Sequence, residues 1–310
     1  MDGQNERYGF APDYDAPIPY MQRTREYYAA IGYTTPYRWA HFADAPFQLL
    51  QKPLARSRVG IITTAAPFNP EKGDQGPGAK YNASAKFYEV YAGDTSKPHD
   101  LRISHIAYDR KHTSADDSGT WFPLPQLRQL ASVGRIGEVA PRFFGAPTDR
   151  SHRVTIEKDA PEILARCQSD NVDAVVLVPN CPVCHQTAAL AARHLEANGI
   201  PTIVMGCAKD IVEHVGVPRF LFSDFPLGNS AGKPHDPVSQ GFTLELALRV
   251  LETAPSARTT IQSPLRWSAD ASWKLDYNNV ERIAPEELAR RRREFDTQKR
   301  IAHNIKASVG

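Results

Sequence analysis

Asp173-Ala-Val-Val-Leu-Val-Pro179, running directly into Asn180-Cys-Pro-Val-Cys-His185, is the stretch on which the fold turns. Its first half is a continuous apolar run of strand length. Such a run is expected where a strand is covered on both faces, at the centre of a parallel sheet. Downstream, Thr187 to Asn198 predicts a helix with Ala188, Ala191, Ala192 and Leu195 on its inner side and Gly199 as a natural stop. Ile200-Pro-Thr-Ile-Val-Met205 is the next strand, Ala208 to Val215 a short helix, and Arg219-Phe-Leu-Phe222 another strand. Strands and helices alternating over such short connections mean βαβ units with right-handed crossovers. Upstream, Ala160 to Ser169 is an amphipathic helix, and Arg58-Val-Gly-Ile-Ile-Thr-Thr-Ala-Ala66 a further buried strand. Leu101-Arg-Ile-Ser-His-Ile106 alternates like a strand, Leu124 to Val133 has helical spacing, and Gln240 to Glu252 adds another helix. The expectation is an α/β protein with a mainly parallel, doubly wound, Rossmann-like sheet or sheets.

The flanks differ in character. Residues 1–57 form an aromatic arm carrying Tyr8, Phe10, Tyr14, Tyr20, Tyr27, Tyr28, Tyr33, Tyr37, Trp39, Phe42 and Phe47, with a helix over Met21 to Ala30 closed by Gly32. That much apolar surface is expected to pack on the core or on a neighbouring subunit. The α/β core is expected over 58–260, divisible near 150 into two similar halves. A C-terminal extension, 261–310, ends in a charged helix from Pro285 to about Lys306. Its run Arg290 to Arg293 is flanked by Glu286, Glu287, Glu294 and Asp296, so it reads as a solvated face or a helix docked on a neighbour. A homo-oligomer, most simply a dimer, is expected.

Composition removes several functions. Among 310 residues, Lys plus Arg is 37 and Asp plus Glu is 35, a net charge of +2, which gives no general attraction for nucleic acid or anionic lipid. Hydrophobic residues at 41% and charged residues at 23% fit a soluble globular chain. No apolar run approaches the ~20 residues of a membrane helix. Met1 to Pro19 has neither a positive n-region nor an apolar h-region, so the expected place is the cytoplasm, with thiols reduced. Four cysteines in a chain this long make no disulfide framework.

Ligands of open parallel sheets bind beyond the carboxyl ends of the strands. Thr63, Thr64 and Asn69 follow the first strand, His105 and Asp109 the second, Asn180, Cys181, Cys184 and His185 the central one, and Cys207 the next. Cys167 lies on a helix, where an inert buried thiol is expected. Cys181 and Cys184 are spaced to meet within one turn and stand where a helix begins, whose free amides favour thiolate. Such a pair can attack as thiolate and resolve as disulfide, with His185 supplying a proton or holding the thiolate. Zinc held by Cys181, Cys184, Cys207 and a histidine is a second reading, although no second Cys-x-x-Cys or His-x-x-x-His pair accompanies it. Two buried thiols without a role are a third. The formal haem-attachment pattern Cys-x-x-Cys-His is set aside, because that chemistry belongs to exported chains. His105 and Asp109, four residues apart, can close on one site as an acid–base pair or serve a turn.

Taken in order, several segments resemble the selenoprotein B family of glycine, sarcosine, betaine and D-proline reductases. They are Pro19-Tyr-Met-Gln-Arg-Thr-Arg25, Lys52-Pro-Leu-Ala-Arg-Ser-Arg-Val59, Thr63-Thr-Ala-Ala66, Ile103-Ser-His-Ile-Ala-Tyr-Asp109, Phe122-Pro-Leu124, Gly134-Arg-Ile-Gly137, Pro179 to His185, Pro226-Leu-Gly228 and Gly232-Lys-Pro234. The resemblance implies a thiol- or selenol-based enzyme that helps cleave a C–N bond of a small substrate reductively. It places the family's selenocysteine at the Cys181/Cys184 pair. No selenocysteine is present and no Cys-Cys-rich processing site for a pyruvoyl group. The resemblance therefore implies no intrinsic cofactor, an external thiol reductant and partner reductase subunits.

A different similarity, to the aspartate/glutamate racemases, rests on Asn180-Cys181 and Gly206-Cys207 at two strand ends, where two thiols would face one substrate carbon in racemase, lyase or hydrolase chemistry, including C–S cleavage. A Cys181–Cys184 disulfide favours the reductive reading, and an open Cys181–Cys207 gap favours the racemase-like one. An assembly subunit without catalysis is the third reading, favoured by inert thiols and no pocket.

Overall fold

Thr63 and Val178 end two neighbouring strands that are far apart in sequence, and the molecule is built outward from that pairing. Residues 15–33, 35–148 and 151–309 are described by a computed structural model; Tyr8, Phe10 and Tyr14 of the aromatic arm lie outside them. β1 (Arg58–Thr63) pairs in parallel with β7 (Ala174–Val178), from Val59 opposite Ala174 to Thr63 opposite Val178. Parallel strands β8 (Thr202–Gly206), β9 (Arg219–Phe222) and β10 (Thr259–Gln262) continue outward from β7. On the other side of β1 lie β5 (Glu138–Val139) and β6 (Arg142–Gly145), both parallel to it, and then β3 (Tyr91–Asp94) at the edge. The order is β10-β9-β8-β7-β1-β6-β3. The chain thus leaves β1 for β6 on one side and returns to β7 on the other. That reversal opens a crevice beyond the carboxyl ends of β1 and β7, the ordinary ligand position in such sheets.

Helices cover both faces because the strands are apolar on both. On one face, Ile62, Val175, Leu177 and Val204 pack under α3 (Ala160–Ser169) and α4 (Pro182–Ala197). On the other, Ile61, Val176, Val178 and Leu221 pack under α2 (Leu124–Ser132) and α6 (Pro237–Thr253). α1 (Tyr20–Ala30), α5 (Lys209–Val215) and α7 (Pro285–Val309) complete the helices that bear on the site. No helix among the described residues is long and apolar enough to cross a membrane.

The sheet is mainly parallel, as expected, with β3 at its edge running antiparallel to β6. One expectation requires correction. The strand expected over Leu101 to Ile106 reduces to β4 (Leu101–Arg102), which pairs antiparallel with β2 (Ala66–Pro67) in a separate ribbon. His105 therefore stands in a turn, where its side chain is fixed by partners and not by a sheet pleat. The arginine run of the C-terminal helix is partly exposed and paired along its own helix, as a solvated face would be. Arg290 and Arg291 pair with Glu287, and Arg292 with Asp296, at helical i,i+3 and i,i+4 spacing. Arg292 also donates to the Ile31 carbonyl, which docks α7 on the end of α1.

A buried ion pair between α4 and β9 anchors the end of the aromatic arm. Arg219 Nη1 lies 2.7 Å from Glu196 Oε1, with the two side chains 1% and 0% exposed. Glu196 also accepts from Thr202 Oγ1 and from the Gln48 amide, while Arg219 donates to the Gln48 carbonyl and stacks over Phe47. Removing one partner leaves the other charge buried and unpaired. Glu196→Gln should therefore cost about 3–5 kcal/mol in urea unfolding. The double replacement Glu196→Leu/Arg219→Met should cost clearly less than the sum of the single changes.

Candidate active site

Cys181 is the N-cap of α4, with extended backbone, and its Sγ accepts a hydrogen bond from the Cys184 amide at 3.2 Å. Pro182 at the first helical position makes that start abrupt, because its ring fixes φ and needs no hydrogen-bond acceptor. One turn of helix brings the two cysteines together, and they form a disulfide. The helix accordingly begins at Pro182, earlier than the alanine face alone predicts. Cys184 is fully buried, whereas Cys181 is 5% exposed and lines a cavity of about 310 Å³.

His105 reaches the same place from the turn after β4. It lies in the cavity wall, and one of its ring nitrogens is within 4.8 Å of both sulfurs. Its Nε2–H donates to the Thr64 carbonyl at 2.7 Å, and its Nδ1 accepts from Thr148 Oγ1 at 3.2 Å. Burial and the nearby Lys86 ammonium push its pKa down to about 3. The ring is therefore neutral near pH 7 and does not serve there as a proton store.

His185 is buried too, with both nitrogens engaged. Nδ1–H donates to the Cys181 carbonyl at 2.8 Å, and Nε2 accepts the Cys207 amide at 2.9 Å. Burial lowers its pKa to about 4. It ties the first turn of α4 to the end of β8 and contacts neither sulfur by hydrogen bond, so it positions the cysteine turn instead of exchanging protons with it. Gly206 permits this, since a Cβ there would lie 2.7 Å from the imidazole.

The remaining expected residues are placed as follows. Thr64 Oγ1 accepts the Asn180 amide at 3.2 Å, which fixes the crevice between β1 and β7. Thr63 donates to the Trp121 carbonyl and accepts the Ala65 amide. Asn180 is fully buried behind Cys181, and its side-chain amide has no partner among the described residues. Asn69 caps a 3₁₀ turn through the Glu71 amide and does not line the cavity. Asp109 does not pair with His105: its carboxylate accepts the Lys111 and His112 amides. Cys207 stands apart, with its thiol 3.8 Å from Ser230 Oγ, among Ile18, Tyr20 and Phe225, and its pKa pushed up to about 12 by burial.

The zinc set expected from Cys181, Cys184 and Cys207 is corrected accordingly: the clustered donors are His105, Cys181 and Cys184. The facing-thiol arrangement of Cys181 and Cys207 likewise finds no open gap, because Cys207 is sealed in its own packing cluster.

Residues that sequence reasoning missed form the cavity wall. Tyr27 and Tyr28 of α1, Tyr81, Lys86 and Tyr88 of the loop before β3, and Phe295 and Lys299 of α7 all line it. The arm and the charged helix, read separately from sequence, meet over the cysteines. Their only sequence signal is the density of aromatic residues in the arm.

Comparison with known proteins gives the site a context. A family profile described as glycine/sarcosine/betaine reductase selenoprotein B matches residues 29–180. The D-proline reductase subunit gamma of Acetoanaerobium sticklandii is 31% identical over 222 residues, covering 70% of this chain and 88% of that protein. Glycine reductase complex component B subunit gamma is 23% identical in Peptoclostridium acidaminophilum, over 68% of this chain and 49% of that protein. Its counterpart in Carboxydothermus hydrogenoformans is 22% identical, over 74% and 53%. The chain thus spans about half the length of those glycine reductase subunits. No solved structure matches the chain.

Both buried histidines titrate far below the ~6.5 of an unfolded histidine. As pH falls from about 6.5 toward 4, the unfolded chain takes up protons that the fold resists, so the stability gained by burying neutral rings is lost. Each ring contributes at most about 1.4 kcal/mol per pH unit. His185→Asn should remove one share of that slope when urea unfolding is measured at pH 5 and 7.5.

Proposed function

This chain belongs to the glycine/sarcosine/betaine/D-proline reductase selenoprotein B family, and we propose that it is a selenium-free, cysteine-dependent member cleaving a C–N or C–S bond of a small amino-acid-like substrate. The observation that carries the reading is the Cys181–Cys184 pair on a helix N-cap, with Cys181 open to a cavity at the β1/β7 crevice.

In this reading the reduced pair supplies two electrons. The Cys181 thiolate bonds to the substrate carbon, and the amine or thiol leaves with a proton. Cys184 then attacks the Cys181 sulfur, the S–C bond breaks, and the carbon takes a proton. The sum is substrate plus two thiols giving reduced product, amine or thiol, and the disulfide. An external thiol reductant returns the pair to the dithiol. Cys181 is assigned as nucleophile because it lines the cavity, and Cys184 as resolving thiol because it is buried behind it. His105 holds the cavity wall in register with Thr64, and the neutral His185 positions the cysteine turn. Thr63, Thr64 and Asn180 shape the crevice. Partner subunits are proposed because the relatives are named as subunits of reductases and of a reductase complex.

A metal-holding role for the same centre is favoured by the convergence of His105, Cys181 and Cys184. It requires the thiols to be reduced and His105 to exchange Thr64 or Thr148 for the ion. Zinc would then slow alkylation of both cysteines together, and a chelator would abolish turnover; the dithiol reading expects turnover to survive the chelator.

The direct test is a single turnover of the reduced protein, with its partner subunits, on D-proline, glycine, sarcosine and betaine, read by mass. Cys184→Ser should accumulate a thioether on Cys181, and Cys181→Ser should give neither adduct nor disulfide. Adduct formation that survives Cys181→Ser would exclude the assignment.

A further inference from the structure

The cavity beside Cys181 is unlike a site made for the smallest amino acids. Its volume of about 310 Å³ already falls within the ~300–1,000 Å³ usual for organic ligands. A molecule the size of glycine would leave most of it to water. Five aromatic rings line it, those of Tyr27, Tyr28, Tyr81, Tyr88 and Phe295. Tyr28 meets Tyr27 and Phe295 edge-to-face, with centroids 5.7 and 5.5 Å apart. That geometry is the one in which aromatic groups accept a further ring.

Among the described residues, the charged side chains lining the cavity are cationic, with Lys86 donating to the Thr148 carbonyl. Lys86 and Lys299 stand in its wall, and a neighbouring cavity of about 530 Å³, sharing Tyr28, Phe295 and Lys299, adds Arg25, Arg38 and Arg153. Among the described residues, neither cavity is lined by an aspartate or glutamate. Ring faces near the site already carry cations: Lys86 lies over Tyr88 at 5.6 Å and Lys299 over Tyr33 at 4.7 Å. A ligand of net positive charge would be repelled there, whereas the carboxylate of a zwitterion is attracted.

We propose that the Cys181 cavity selects an amino acid carrying an aromatic ring, with the ring against Tyr28 and Phe295 and the carboxylate toward Lys86 and Lys299. This rests on the reductive reading of the same site and names its substrate class. The selecting residues come largely from α1 and α7. Most of α1 and all of α7 lie outside the family match at 29–180.

Calorimetric titration of the full chain with N-benzylglycine, glycine, N-benzylglycinamide and glycine betaine tests this without requiring turnover. N-benzylglycine should bind at least about tenfold more tightly than glycine or glycine betaine, and about tenfold more tightly than its amide. Phe295→Ala and the milder Phe295→Leu should each remove most of the advantage of N-benzylglycine over glycine. Glycine or glycine betaine binding as tightly as N-benzylglycine would overturn the proposal, as would an amide equal to the acid or an unaffected Phe295→Ala. These ratios do not depend on thiol chemistry. Their failure beside a reactive Cys181 removes the substrate class alone, and an inert Cys181 removes the reductive reading while the ratios stand.

Discussion

The parallel register of β1 on β7 is the constraint from which the site follows. Thr63 lies opposite Val178, so Thr64, one residue on, and Asn180, two residues on, meet at the carboxyl edge. Thr64 then does two things: its hydroxyl accepts the Asn180 amide and its carbonyl accepts His105. A histidine from a turn and a cysteine from a helix N-terminus are thereby brought to one cavity. A slip of this register by one residue would exchange the faces of every side chain on the strand and separate them.

The two histidines at this edge show how burial decides chemistry. Each is neutral, each uses both ring nitrogens, and each has a backbone carbonyl as one partner. In the proposed reading, the reactivity of the cysteine pair comes from the helix N-terminus and from the cationic wall, not from an imidazolium neighbour. The two remaining thiols lack that setting. Cys167 and Cys207 are buried in packing clusters, and burial pushes each pKa up to about 12.

Much of this was legible in the sequence, for reasons that can be stated residue by residue. The runs at Arg58 to Thr63, Ala174 to Val178 and Thr202 to Met205 are apolar because both faces are covered, so they read clearly as central strands. β3 and β10, at the two edges of the sheet, contain Asp94 and Gln262 and are partly exposed, and no apolar run announces them. Leu101 to Ile106 alternated like a strand, yet only two residues pair, because the chain turns to place His105 under Thr64. The cysteine pair was legible from its spacing and its place before a helix. The partners of His105, Asp109, His185 and Cys207 were not, since they are carbonyls, amides and a hydroxyl brought near only by the tertiary fold. The same is true of the wall: nothing in the periodicity of α1 or α7 indicates that Tyr28 and Phe295 share a cavity.

The central claim is that Cys181 is an activated thiol and its siblings are not. Reduced native protein, alkylated with iodoacetamide across pH and read by mass at each cysteine, tests it most directly. The account predicts that Cys181 reacts first, with an apparent pKa below the ~8.5 of a free cysteine. Cys184 should follow more slowly, and Cys167 and Cys207 should remain silent until the protein is unfolded. Reaction of Cys181 no faster than Cys207, or only after unfolding, would contradict it.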